Sequence, residues 1–227
     1  MTEHNSNPLR IGVLISGSGT NLQAIIDAIG RGELKAEIGL VISNRADAYG
    51  LQRAHRAGIQ TLVLDHRRFP SREAYDQQLV AELSAADVKL VVLAGFMRLL
   101  SNVMIGAFPN RIMNIHPALL PSFPGLNVQK AAVDYGVRFS GCTVFFVTEG
   151  VDDGPIIIQA VVPVYPDDSD EELAARILAQ EHRIYPRAIA LFQQGRLEVS
   201  GRRVLIKGVL HSSEGLVLIN PPLAESE

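Results

Sequence analysis

The chain has 227 residues, 47% of them hydrophobic, and a formal net charge of −3, which is apolar enough for one large core and too acidic for a general polyanion-binding surface. Its single cysteine, Cys142, rules out an intramolecular disulfide. No apolar run approaches the roughly 18 to 20 residues of a membrane span, and the polar start MTEHNSNPLR has no signal-peptide core, so a cytoplasmic protein without membrane contacts is expected.

In chain order, RIGVLI (10–15), EIGLVIS (37–43), TLVL (61–64), KLVVLAGF (89–96) and RIMNIH (111–116) are short, β-branched and almost continuously apolar, as strands covered on both faces should be. Between them NLQAIIDAIGRG, YGLQRAHRAG and REAYDQQLVAELSAAD show helical spacing, so the alternation predicts right-handed crossovers and a parallel sheet. SGCTVFFVTEG (140–150) and GPIIIQAVVPV (154–164) are too close for a crossover and fit an antiparallel pair. A helix over 170–193 follows the capping-box pattern that starts at Ser169, and Pro186 predicts a kink in it. The fold class is α/β: a mostly parallel, Rossmann-like twisted sheet with helices on both faces and an antiparallel strand pair in the C-terminal half. It is read as one domain over 1–227, with a tail at 1–9 and an appendage at 198–227 holding a short hairpin and strand.

Ligands of open α/β sheets bind outside the carboxyl ends of the strands, so the loops there hold the candidates. In SGSGTNLQ (16–23), Thr20 and Gln23 match a T-x-x-Q cap opening a helix near Asn21, while Gly17 and Gly19 let backbone N–H groups approach an anion. The Walker A lysine is missing, Leu22 breaks G-x-G-x-x-G, and the second strand ends in SNR without a ribose-binding acid. One phosphate group therefore fits better than a dinucleotide, and a plain tight turn fits equally well. In MNIHPALLPSFPG (113–125), Asn114 and His116 share one strand face, with Met113 and Ile115 on the other, and Pro117 keeps the exit extended. An amide there can donate to a developing oxyanion, and an imidazole can donate or shuttle a proton.

Asp152 and Asp153 lie in the compact loop EGVDDGP (149–155), a place for a working carboxylate or an ordinary solvated turn. Glu181 falls on the apolar stripe Leu173, Ile177, Ile184, Ala188, Leu191, so it needs either a ligand or a structural ion pair. LAGFMRLLS (93–101) sets Phe96 and Met97 beside Arg98, which suits a flat heteroaromatic ligand with an acidic tail, or simply core. The six histidines show no metal-ligand spacing, and there is no G-x-S-x-G or Cys nucleophile, so a metal-free, non-covalent mechanism is expected.

ISGSGTNLQAII, SNRADAYGL, FPSREAYD, VLAGFMRLLS, MNIHPALLPSFPGL, SGCTVFFV, VDDGPIIIQ and QEHRIYP occur in that order between about residues 10 and 200. With them the chain resembles the phosphoribosylglycinamide formyltransferases, folate-dependent enzymes of purine synthesis. The resemblance implies direct transfer of a formyl group from 10-formyltetrahydrofolate, the co-substrate, to the primary amine of 5-phosphoribosylglycinamide (GAR) through a tetrahedral intermediate, without metal. It implies Asn114, His116 and Asp152 as the catalytic trio. Gly19, Thr20 and Asn21 match the phosphate loop, with Leu178, Ala179, Gln180 and Glu181 also on the GAR side. Arg72, Met97, Arg98, Leu99, Leu100, Asn114, Thr148, Glu149, Gly150, Val151 and Asp152 match positions around the formyl folate. The partners implied are these small molecules and no nucleic acid, in a monomer or homodimer, and a cis bond is implied between Leu120 and Pro121.

Asn127 and Phe145 stand where many such enzymes have histidine, and Asp153 where a small residue is usual; Asp153 would crowd a like charge onto Asp152 unless it points away. Methionyl-tRNA formyltransferases and formyltetrahydrofolate hydrolases share the Asn-Ile-His-Pro stretch. The former usually add a basic C-terminal domain and the latter an N-terminal regulatory one, and neither is expected here. A non-catalytic nucleotide-sensing α/β module is the reading from another class.

Overall fold

The computed structural model describes residues 8–208 together with Leu218 and Asn220. Five apolar runs form the parallel strands β1 (Leu9–Ile15), β2 (Ala36–Ser43), β3 (Thr61–Val63), β4 (Leu90–Leu93) and β5 (Ile112–His116), in spatial order β3-β2-β1-β4-β5. The helices are α1 (Thr20–Gly30), α2 (Tyr49–Arg56), α3 (Arg72–Ala85), α4 (Asn102–Ala107), α5 (Val128–Tyr135) and α6 (Asp170–Gln193). Strands this apolar must be covered on both faces. One core receives side chains from α1, α2, α5 and α6, the other from α3 and α4.

Beyond β5 the direction of the sheet changes. β6 (Phe139–Phe146) runs antiparallel to β5, and β7 (Ile156–Pro163) antiparallel to β6. The hairpin β8 (Leu197–Ser200) and β9 (Arg203–Ile206) brings the sheet to nine strands among the described residues, through a parallel contact between β9 and β7. The predicted fold class is the one observed, with the β5–β6 pairing as an additional antiparallel contact. The final predicted strand and most of the N-terminal tail lie outside the described residues.

Several local expectations need correction. The T-x-x-Q cap does not form: Gly19 is the residue before α1, in a left-handed conformation with φ 69°, and no side chain caps the helix. Gln23 instead donates to Asp27 and accepts from Arg53. β4 ends at Leu93 and not at residue 96, shortly before Gly95 turns the chain with φ +74°. β6 ends at Phe146, so that Val147–Pro155 forms a loop. The short helices α4 and α5 were not legible, because they bury one residue (Met104) and two (Val128, Ala132) respectively, too few to set a period. The Ser169 capping box is present, with Ser169 Oγ accepting from the Glu172 N–H and Glu172 returning to the Ser169 N–H. α6 continues through Pro186, whose missing N–H removes one helical hydrogen bond, to Gln193. The Leu120–Pro121 bond is cis. No described helix is long and apolar enough to cross a membrane.

Candidate active site

β1 lies between β2 and β4, so the chain crosses in opposite directions on its two sides and leaves a crevice at the carboxyl ends. A cleft of about 310 Å3 opens there, lined by Ser16–Asn21, Asn44, Arg45, Ala94, Gly95 and Met97. Gly19 is required on two counts, its positive φ and the crowding beyond it: a Cβ would sit 2.6 Å from the Gly50 Cα. The Gly50 N–H also donates to the Gly17 carbonyl, so α2 props the turn from behind. Ser16, Asn44 and Arg45 were not among the predicted site residues. The signal was available, since Ser16 and Asn44 directly follow strands of the parallel sheet and Arg45 comes next.

Ser16 and Asn44 are both buried and join the loops of the cleft. Ser16 Oγ donates to Asn44 Oδ1 (2.6 Å) and accepts from the Met97 N–H (2.9 Å), tying together the chain ends after β1, β2 and β4. On the floor, Asn21 Nδ2 donates to Glu181 Oε2 at 2.7 Å, with both side chains buried. The partner of the stripe carboxylate is thus an asparagine of the Gly19–Asn21 turn, not an arginine. Glu181 is brought to the predicted loop, Leu178 and Gln180 are half-buried, and Ala179 faces solvent, as helical rotation demands.

The strand β5 carries Asn114, half-buried, and His116, buried, on one face, while Met113 and Ile115 join the core beneath α6. His116 Nδ1 lies 3.5 Å from Asp152 Oδ2. His116 Nε2 lies 2.8 Å from the Phe123 carbonyl, which only accepts, so this nitrogen carries a proton. Nδ1 therefore faces the carboxylate. Asp152 Oδ2 also accepts from the Gly125 N–H at 3.0 Å, so one loop holds both groups. That loop is strained at two left-handed non-glycine residues, Phe123 (φ 50°) and Asn127 (φ 55°), and Asp152, on the facing 147–155 loop, is left-handed too (φ 51°).

Buried hydrogen bonds resist the strain. Thr143, opposite His116 on β6, donates to the Ala118 carbonyl and accepts from the Leu120 N–H, and Gln159 donates to the Leu120 carbonyl. Tyr185, fully buried in α6, sets its hydroxyl 3.0 and 2.9 Å from the Leu93 and Met113 carbonyls, stitching β4 to β5 beside Asn114.

Asp153 points elsewhere than Asp152, accepting from the Thr148 hydroxyl and folding over Gly150. Phe145 is buried directly across from Asn114, and Asn127 precedes α5 without capping it through its side chain. Gly154 admits no side chain, because a Cβ would meet the Phe146 carbonyl oxygen at 1.7 Å.

Around the strand ends, Met97, Leu99 and Val151 are half to two-thirds exposed (66%, 57% and 50%). Arg98 Nε is buried with no hydrogen-bond partner among the described residues. Arg72 opens α3, and one turn on Asp76 accepts from the N–H and hydroxyl of Ser101, holding the 97–100 stretch against that helix. Leu100 packs on the second core, and Thr148, Glu149 and Gly150 sit on the loop leading to Asp152. Among the described residues no group of three His, Cys, Asp or Glu is placed to hold a metal ion.

Burial pushes the Glu181 carboxyl above its usual range, against the opposing effects of the Asn21 hydrogen bond and the nearby His116. A raised carboxylate pKa means that the stability it leaves intact below the unfolded-state pKa is lost as pH rises through the folded-state value. Glu181→Gln should therefore unfold near the wild-type temperature at about pH 4 and above it at pH 8. Thermal denaturation at the two pH values checks this, and a difference that does not change with pH would refute it.

The chain is similar to known proteins over most of its length. Residues 9–189 match the formyl transferase family. The trifunctional purine biosynthetic protein adenosine-3 of Drosophila pseudoobscura pseudoobscura is 53% identical over 190 residues, 83% of this chain, which spans only 14% of that protein's length. The phosphoribosylglycinamide formyltransferase of Escherichia coli (strain K12) is 46% identical over 200 residues, 88% of this chain and 94% of that one. Among solved structures, glycinamide ribonucleotide transformylase 1 from Symbiobacterium toebii superposes with a TM-score of 0.87 at 58% identity, covering 89% of this chain and 95% of that one. With most of its length matched both in sequence and in three dimensions, the chain belongs to the formyl transferase family.

Proposed function

We propose that this chain transfers the formyl group of 10-formyltetrahydrofolate to the primary amine of GAR, giving formyl-GAR and tetrahydrofolate, as a cytoplasmic step of purine biosynthesis carried by a single domain. The observation that carries the reading is the His116–Asp152 pair at 3.5 Å, with His116 two residues along β5 from Asn114. A proton-relay pair and an oxyanion donor thus adjoin a turn whose backbone suits a phosphate. The name of the Escherichia coli relative, of which the chain covers nearly the whole length, supports the same reaction.

The folate side fits its ligand chemically. Met97, Leu99 and Val151 offer apolar surface to a pterin, and Arg98 and Arg72 offer cations to an acidic tail. On the other side Gly19, Thr20 and Asn21 hold the phosphate, and Glu181, fixed by Asn21, orients the rest of GAR through hydrogen bonds. Asn114 donates to the oxygen that becomes negative when the amine adds to the formyl carbon. His116 has one nitrogen on Phe123 and the other toward Asp152, so its main share is in the proton path. Asp152 receives the amine proton, directly or by way of His116 or a water, and returns it to the folate nitrogen as the C–N bond breaks.

An absorbance assay with purified protein, formyl folate and GAR, omitting each in turn, tests the reaction. Folate product should form only when all three are present. Turnover without GAR would make the protein a hydrolase, and GAR binding without turnover a sensing module.

A further inference from the structure

The phosphate turn has little positive charge of its own. Of the α6 residues on the GAR side, Leu178 and Ala179 have no polar group, Gln180 accepts from Arg183, and Glu181 is an acid. Arg45, on the cleft wall, is matched to Asp47 at 2.8 Å. Arg53, half-buried on α2, differs from it. Its Nε donates to the Ser18 carbonyl at 2.9 Å, its Nη1 to Gln23 Oε1 at 3.3 Å, and its guanidinium stacks on the Tyr49 ring at 5.0 Å. No carboxylate lies within ion-pair distance of it among the described residues. Ser18 and Gln23 flank the Gly19–Asn21 turn, and the Arg53 Cδ is 3.6 Å from where a Gly19 Cβ would be. The rigid fork of one guanidinium therefore spans the turn from behind.

We propose that Arg53 is a positioning residue for the substrate phosphate: it pins the Ser18 carbonyl and Gln23, fixing the peptides between them, and places an unmatched positive charge behind the N–H groups that meet the anion. The field of Arg53 extends across to α6, where it adds to the larger effect of burial in holding His182 below the usual imidazole range. The inference rests on the assignment of the Gly19–Asn21 turn to the GAR phosphate.

Calorimetric titration with ribose 5-phosphate tests it without needing turnover. Arg53→Ala should weaken binding about tenfold, the worth of roughly one charge-assisted hydrogen bond. Arg53→Lys, which keeps the charge and loses the fork, should recover only part of this. In the transfer assay the Ala variant should raise KM for GAR by a similar factor, with kcat and the KM for formyl folate within about twofold. Ribose 5-phosphate binding within about twofold of wild type, equal losses for both substrates, or full recovery with Lys would overturn the proposal. Should Arg53→Ala fail to fold, Gln23→Ala removes one arm of the fork and should weaken binding in the same direction; no change would overturn it. Absence of formyl transfer by the wild type, with the ribose 5-phosphate difference intact, would sink the proposed function and leave this inference standing.

Discussion

Asn114→Ala is expected to lower kcat by about 100 to 1,000-fold, the usual cost of removing one oxyanion donor, or about 2.7 to 4 kcal/mol of transition-state stabilisation. The loss should fall on kcat and kcat/KM together, because the amide's hydrogen bond strengthens only as negative charge develops on the formyl oxygen. The side chain is half-buried in a strand flanked on both sides, where alanine leaves the backbone pairing with β4 and β6 in place, so circular dichroism should be unchanged. A loss of less than about tenfold in a folded variant would reject the oxyanion role.

Asp152→Asn should remove about 100 to 10,000-fold of turnover while both ligands still bind. The substitution is mild structurally: asparagine tolerates the left-handed backbone at φ 51° as well as aspartate does, and its amide oxygen can still accept from Gly125. What it lacks is an acceptor for the amine proton opposite His116 Nδ1. Single-turnover kinetics together with equilibrium binding of each substrate separate the two effects. A fully active variant would discard the proton relay, and a variant that binds neither ligand would make Asp152 a structural residue of its loop.

The parallel half of the fold could be read from the chain because burial on both faces leaves its mark in every strand residue, as in VLI and LVVL, and the long helix α6 announced itself through its capping box. The same period-two logic put Asn114 and His116 on one face, where they are found. Chain order alone did not reveal what lies across a gap: Glu181 is 160 residues from Asn21, and its stripe position said only that a partner was needed. Nor did it reveal the commitment of His116 Nε2 to Phe123, which depends on a left-handed residue that no side-chain pattern announces. Thr20 and Gln23 misled because the capping pattern competes with other contacts, and the Gln23 side chain is engaged by Asp27 and Arg53 instead.

The position of β5 has a consequence for how this protein can fail. It is the seam of the sheet, gripped by a parallel neighbour on one side and an antiparallel one on the other. If it slid by one residue, Met113 and Ile115 would turn toward the face that now carries Asn114 and His116, and the amide and imidazole would sink into hydrocarbon. The machinery is thus keyed like a lock: damage that loosens the seam should abolish activity outright in the affected molecules, leaving a mixture of intact and dead copies and not a uniformly sluggish population.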